Sequence, residues 1–281
     1  MHNGGDPQDE HRMKMRGKIL RRSASFNVAH AVDDLEPGTG AQSIQRALTL
    51  LNLVGLIAGE RSNGASLSEV ASISGRPKAS VHRMLQALIA MGYVERLDEG
   101  GYRLGVQSQI LGQLAQKSVD PLVTESESSL LRLAELSQDT AFLTLRTGSY
   151  SICARREEGF GEILNNALSV GDRHPLGIGA GSLAILSELS PAEVDAQFEA
   201  NAQIFAERYP KVSIAALRDI IDRARVDGFV HNPGLFAQGS WAVGVPLKVR
   251  GSRSRAALSI ASVPARVTGA RVERLVALLR R

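Results

Sequence analysis

Apolar residues recur along this chain with two different spacings, and the change from one to the other divides it. From Gln42 to Ala58, Ile44, Ala47, Leu48, Leu51, Val54 and Ala58 follow the three-to-four-residue spacing of an amphipathic helix. Leu50, Leu53, Leu56 and Ile57 widen that stripe, which fits either a partner surface or a larger core. The next helix has a start signal: Ser66 followed by Glu69 is a capping box. Val70 and Ile73 point inward, and Gly75 permits the left-handed turn that ends the helix. Pro77 sits where a first helical turn tolerates it. A second helix then buries Val81, Met84, Leu85, Leu88 and Ile89 and stops at Gly92. Tyr93 to Leu97 and Tyr102 to Leu104 are short alternating runs around Asp98-Glu99-Gly100-Gly101, the pattern of a β-hairpin.

Val106, Ile110, Leu111 and Leu114 predict a further helix that serves as a linker. Asp120 and Pro121 form an N-cap and first-turn pair for a long helix with Leu122, Leu130, Leu133 and Leu136 inside. From Thr140 the texture changes. AFLTLRTG and SYSICARRE read as two strands around Gly148. After an irregular stretch, Gly177, Gly179 and Gly181 precede a helix carrying Leu183, Ala184, Leu186 and Leu189. Helices over 191–201 and 213–227 follow, then three strand-like runs, FVHN, WAVGVPLKV and RAALSIASV, and a closing helix over 268–280. Two strands, several helices and three strands predict an α+β fold with an antiparallel sheet.

Charge and composition narrow the partners. The 281 residues carry 33 Lys+Arg against 29 Asp+Glu, a formal charge of +4, with a pI of about 9.4. This mild excess suits a nucleic-acid partner without requiring one. Residues 1–40 lack apolar periodicity and read as a tail. Its stretch from Arg12 to Arg22 holds Arg12, Lys14, Arg16, Lys18, Arg21 and Arg22 with no acid, which fits a phosphate-binding arm and a solvated tail equally. The single Cys153 excludes an internal disulfide and a multi-cysteine zinc site. No apolar run approaches the roughly 18 residues of a membrane span, and no secretory signal stands at the front, so a cytoplasmic protein is expected.

Three clusters carry candidate chemistry. The second of the paired helices presents Lys78, Ala79, Ser80, His82, Arg83 and Gln86 opposite its apolar face. Two helices joined by a tight turn, the second basic, form a helix-turn-helix; a hairpin directly after it makes the module a winged helix. The N-terminal residues of a recognition helix reach base edges, which selects Lys78, Ala79, Ser80, His82 and Arg83. Arg83 suits a bidentate contact to guanine; Lys78 and Ser80 suit phosphate as well as base. Arg96 and Arg103 lie on the hairpin within reach of phosphate or the minor groove, whereas the acidic tip, Asp98 and Glu99, would repel phosphate. The glycine-rich turn GIGAGS lacks the GK[ST] of a phosphate-binding loop and the βαβ setting of a dinucleotide site. At a helix start it exposes amides to a small anion; it equally permits close packing. Arg173 and His174 precede it; either could contact an anion, and both read first as solvated loop residues. Cys153, His174 and His231 can be imagined as an enzyme site, but no paired carboxylates, metal-spaced histidines or nucleophile elbow accompany them.

These motifs, in this order, resemble the IclR family of bacterial transcriptional regulators. The resemblance covers about residues 41–265. It rests on QSIQRALTLLNLV, LSEVASISGRPKASVHRMLQALIAMGYVER and GYRLG at the front, and on VGDRHPLGIGAGSLAIL, GFVHN, GSWAVGVPL and AALSIASVPARV at the back. It implies a winged helix-turn-helix over 41–104, a linker helix over 105–119 and a GAF-like effector-binding domain over 120–281. Family effector pockets are lined by the glycine-rich turn, the segment after the Gly-Phe pair and the last two strands. The matching positions here are Gly179, Ala180, Gly181, Asn232, Ser240, Ala242, Ser259 and Ala261. Asn232 stands where an acid is frequent, Ala242 and Ala261 where some members have Cys and Ser, and Trp241 where Arg is common. The implied pocket is less polar, suited to an aromatic or larger acid.

The expected function is therefore a DNA-binding regulator, not an enzyme, whose binding to a palindromic operator is modulated by a small organic acid. It would act as a dimer or tetramer, with no membrane partner, no cofactor and no metal. An enzyme built on a GAF-like domain is the alternative, and a helix-turn-helix used for protein contact is a third reading.

Overall fold

The computed structural model describes residues 42–59, 61–116, 121–161, 168–235, 240–247, 255–266 and 268–281. The basic run from Arg12 to Arg22 and the Asp120 cap lie outside them. The chain divides into two compact units, 1–119 and 120–281.

The first unit contains α1 (Gln42–Ala58), α2 (Leu67–Ser74), α3 (Lys78–Ala90), β1 (Val94–Arg96), β2 (Tyr102–Leu104) and α4 (Val106–Gln116). The capping box forms as expected: the Ser66 hydroxyl accepts from the Glu69 amide, and the Glu69 carboxylate accepts from the Ser66 amide at 3.1 Å. Gly75 ends α2 at φ 64°. Leu50, Leu53 and Val54 of α1, Val70 of α2, Val81 and Leu85 of α3, and Tyr102 of β2 meet in one buried core. The hairpin is antiparallel and is pinned to the entry of α2, where Ala65 and Tyr102 exchange backbone hydrogen bonds of 2.8 and 2.9 Å. Only glycine fits at Gly101, because Asn63 O occupies the place a Cβ would take.

The width of the first helical stripe is resolved here, with Val54 and Ala58 buried as its spacing implies. Helix α1 buries Leu50, Leu53 and Ile57 and leaves Ile44 and Leu48 exposed, at 63% and 54%. Its apolar residues form two overlapping stripes, and the packing of α2, α3 and β2 decides which one faces inward. In α4, Val106, Ile110, Leu111 and Leu114 are exposed as well.

The second unit contains α5 (Pro121–Ser137), β3 (Thr140–Thr147), β4 (Tyr150–Glu158), β5 (Arg173–Pro175), α6 (Ala180–Ser187), α7 (Pro191–Ala200), α8 (Ala202–Arg208), α9 (Ile214–Asp227), β6 (Val230–Asn232), β7 (Trp241–Pro246), β8 (Ala256–Ser262), a 3-10 turn (Pro264–Arg266) and α10 (Gly269–Leu279). Its sheet runs β5-β4-β3-β8-β7-β6, antiparallel throughout. The period of two along each strand sorts side chains to opposite faces. Leu143, Val243, Val245, Leu258 and Ile260 pack with Leu130 and Leu133 of α5 and Leu275 of α10. Phe142, Cys153, Ala242, Ala257 and Ala261 pack with α6, α7, α8 and α9 on the other face. Helix α6 is buried from Ala180 to Leu186, since it lies between the sheet and α9. Asp139, 1% exposed, pairs with Arg266 and Arg271 at 3.0 and 2.5 Å and ties the α5-to-β3 turn to the last helix.

Three sequence expectations are corrected. Leu136, expected inside, is 44% exposed near the end of α5. Strand β5 and helix α8 emerge from stretches without a clear period. Arg173 and His174 therefore sit on a strand, not a solvated loop: the Arg173 guanidinium lies 3.8 Å from the centre of the Tyr150 ring, and His174 is buried.

Candidate functional site

The first unit offers a polar surface built on α3. Val81, Leu85 and Leu88 anchor the helix, which leaves Lys78, Ala79, His82 and Arg83 exposed and Ser80 half-buried. No side chain caps the start of α3, so its first amides and the positive end of the helix are open to an anion. Gln86, one turn beyond His82 and 3.4 Å from its ring, belongs to the same exposed face. Arg96 is exposed on β1. Arg103 is exposed on β2 but pairs with Glu95 directly across the hairpin, so a phosphate would have to compete for its guanidinium. Burial pushes the Glu69 carboxyl up, yet hydrogen bonds from Ser66 and Arg61 outweigh burial and hold it below the usual range. That anionic carboxylate anchors α2 and also holds Arg61 at 3.0 Å.

The second unit gathers the other candidates at the start of α6. Gly179, Ala180, Asn232, Ser240, Ala242, Ser259 and Ala261 all line one chamber of about 30 Å³. Gly181, the eighth, lines an adjoining one. Residues 179 to 261 are distant in sequence; the β6-β7-β8 ladder and the α6 crossover bring them together, with Asn232 opposite Ala242 and Ala242 opposite Ala261. Phe142 and Leu168 complete the apolar wall, and neither was anticipated. Phe142 was hidden because it stands within the apolar run Ala141-Phe142-Leu143, which fills both faces of the strand.

The chemistry of this chamber is neutral and rich in donors. Helix α6 starts at Gly179 without a side-chain cap, so its first amides remain open. The Ser182 hydroxyl is turned away from them, accepting from the Gly177 amide at 2.8 Å. Asn232 accepts from the amides of Gly234 and Leu235 at 3.0 and 3.2 Å through Oδ1. Its NH₂ group is left as the donor that a ligand can use. Among the described residues, no lining side chain carries a charge. A helix start plus an amide donor among alanines, Leu168 and Phe142 suits a carboxylate on an apolar body.

The adjoining chamber is polar. Thr144, Ser151, Cys153, Asp172, His174 and Ser182 surround about 10 Å³, with Leu168 and Gly179 shared between the two. Burial pushes the Cys153 thiol up to about 12, with Asp172 adding to the shift and Arg156 opposing it. At neutral pH this sulfur is a packed thiol, not a nucleophile. His231, the third residue of the imagined enzyme site, lies apart from Cys153, its ring tilted at 57° against that of Trp241 with the centres 4.7 Å apart. It lines a larger cavity of about 360 Å³ along α9 and β6, which contains none of the eight positions. Burial, and secondarily Arg223, lowers the His231 pKa.

Comparison with known proteins bears on both units. The model of the IclR helix-turn-helix domain matches residues 43–98, and that of the bacterial transcriptional regulator IclR C-terminal domain matches residues 115–281. The chain is 27% identical over 227 residues to the HTH-type transcriptional regulator KipR of Bacillus subtilis, covering 81% of this chain and 88% of that protein. The crystal structure of Thermotoga maritima IclR matches with a TM-score of 0.62 at 18% identity, over 86% of this chain and 95% of that one. An IclR homologue from Microbacterium hydrocarbonoxydans, solved in complex with 4-hydroxybenzoate, matches with a TM-score of 0.58 at 21% identity, over 85% and 93%. The families and relatives are transcriptional regulators, not enzymes.

Proposed function

This chain belongs to the IclR family of bacterial transcriptional regulators, and on that premise we propose that a small organic acid, bound at the start of α6, controls its binding to an operator. DNA binding follows from the family. Control by an acid rests on one observation above the others: seven residues from four separate segments converge on a chamber whose described lining side chains are uncharged, with open helix amides and the Asn232 NH₂ group. The Phe142, Leu168, Ala242 and Ala261 walls favour an aromatic or larger apolar body. The 4-hydroxybenzoate held by the Microbacterium relative is of that class.

Lys78, Ala79, Ser80, His82 and Arg83 read base edges from the major groove, with Arg96 and Arg103 on the backbone. The protein acts as a dimer or tetramer in the cytoplasm, placing two copies of α3 on the half-sites of a palindromic operator. Exposed Ile44 and Leu48 on α1, with Val106, Ile110, Leu111 and Leu114 on α4, supply apolar surface for self-association. The acid works by population shift: it favours one arrangement of the effector unit, and hence one spacing of the reading helices. Reciprocity then requires operator DNA to change the acid's affinity by the same factor.

A thermal-shift screen of small organic acids tests the pocket, since a ligand of the folded state raises the melting temperature by mass action. A hit must also change operator affinity in a gel shift. If no acid does both, control by an acid is wrong. For the DNA surface, Arg83→Ala should weaken specific binding by about 1–3 kcal/mol. Unchanged operator affinity would remove Arg83 from the reading surface.

A further inference from the structure

The cavity of about 360 Å³ along α9 and β6 has no part in the reading above, although its size lies within the range of small-molecule sites. Segment 231–235 separates it from the acid site. His231, Pro233 and Leu235 line this cavity, whereas Asn232 and Gly234 line the acid chamber. Successive residues thus face opposite sides, as in the strand that begins the segment. Ile220 and Ala224 of α9 are buried in the cavity floor, joined by the partly buried Phe229, Leu235 and Val272.

Around this apolar floor stand Asp219, Arg223 and Asp227, at four-residue intervals on one face of α9. Opposite charges at this spacing ordinarily pair. Other arginines of α9 do find carboxylates: Arg218 holds Asp195, and Arg225 holds Asp222 at 2.7 Å. Arg223 instead donates its Nε to the backbone carbonyl of Asp219 at 3.1 Å. Among the described residues, no ion pair engages its Nη groups or the carboxylates of Asp219 and Asp227. His231 meets them from β6, its ring set against Trp241. Burial and the Arg223 charge hold its pKa below the usual value, so the ring is neutral at pH 7 and keeps one N–H donor.

The balance of charge selects the ligand. A simple acid reaching Arg223 meets a carboxylate one turn away on either side, and a simple amine meets the guanidinium. A molecule carrying both charges satisfies both. Its carboxylate takes the Nη donors of Arg223 and the N–H of His231, and its ammonium takes an aspartate. Side chains four residues apart on a helix stand about 5–6 Å apart at Cβ, near enough to hold two groups borne on one carbon. The floor of Ile220, Ala224, Phe229 and Val272 takes an apolar body. We propose that this cavity is a second ligand site, for a free amino acid with an apolar side chain. The proposal is independent of the acid site, although the shared segment places its occupant one residue from Asn232.

The test is isothermal titration of the full chain with L-leucine, L-methionine and L-phenylalanine, each against its amide, which keeps the body and the amine but lacks the carboxylate. At least one amino acid should bind about tenfold or more tighter than its amide. Arg223→Ala should weaken that amino acid by about tenfold or more, and Asp219→Asn combined with Asp227→Asn should do the same. Arg218→Ala removes the same charge from the same helix outside the cavity and should leave the affinity unchanged. Arg223 and both aspartates are exposed, so the fold should survive, and the melting temperature of each variant checks it. If none of the three amino acids binds at millimolar concentration, or each amide binds as tightly as its amino acid, the proposal falls. It falls too if the affinity survives Arg223→Ala or the paired aspartate exchange. An equal loss in Arg218→Ala would mark a general charge effect and also overturn it.

Discussion

The two faces of the six-stranded sheet are made by the same strands and share almost nothing else. On the face towards α5 and α10, Leu143, Val243, Val245, Leu258 and Ile260 interlock with Leu130, Leu133 and Leu275. One residue along, the face towards α6 presents Phe142, Thr144, Ala242, Gly244, Ser259 and Ala261. Small side chains there let α6 come so close that a Cβ at Gly181 would fall on Thr144, and one at Gly244 would lie 2.8 Å from Ala180 O. Around that close approach two chambers remain. One face is close-packed and keeps the sheet in shape. The other gives up packing around the proposed acid site, the usual compromise between stability and function.

The difference is open to direct attack. Leu143→Ala removes a fully buried side chain from the packed face and should cost about 2–5 kcal/mol in urea unfolding. A loss well under 1 kcal/mol would mean that this face is not the rigid one. Ala242→Leu adds volume to the other face. It should cost less, about 1–3 kcal/mol, because the added atoms have a chamber to enter before they strain the backbone. The same substitution should abolish the thermal shift given by any effector acid; an undiminished shift would place the ligand elsewhere. Asn232→Asp is milder still for the fold, since an aspartate can accept from Gly234 and Leu235 as Asn232 does. What it loses is the donor, and what it adds is a charge facing the acid. Acid affinity should fall by about 1–3 kcal/mol with little change in melting temperature, measured by calorimetry on the same sample.

What was legible in the sequence follows the same division. The winged helix was readable because its signals are local: the Ser66–Glu69 box, Gly75, Pro77 and the hairpin turn each act within a few residues. The α1 stripe was legible only in part: Val54 and Ala58 are buried as its spacing implies, but Ile44 and Leu48 satisfy helical spacing as well as Leu50 and Leu53 do. Only the neighbours choose between them. The eight effector positions came from resemblance rather than spacing, because Gly179, Asn232 and Ser259 meet only through the sheet. Phe142 and Thr144 were missed for that reason: the strand sequence TAFLTLRT does not declare which side faces a ligand. Asp172 and His174 lay in a stretch without periodicity, where β5 forms by pairing with β4.

Cys153 yields the smallest effect and separates packing from chemistry on the open face. It is 3% exposed beside the polar chamber, and its thiol is raised from 9.0 to about 12, chiefly by burial. A thiol whose folded pKa lies above its unfolded one contributes stability that is complete below pH 9 and declines as pH rises from 9 towards 12. The unfolded chain ionises first and is favoured. Cys153→Ala lacks this dependence. The stability gap between wild type and Cys153→Ala should therefore move against the wild type by about 1 kcal/mol between pH 7.5 and pH 10, read from paired urea midpoints. The native thiol should also resist a disulfide reagent at pH 7.5 and react once urea is added. A gap that stays constant, with fast labelling of the native protein, would mean that water reaches this sulfur and that the open face is looser than its buried side chains imply.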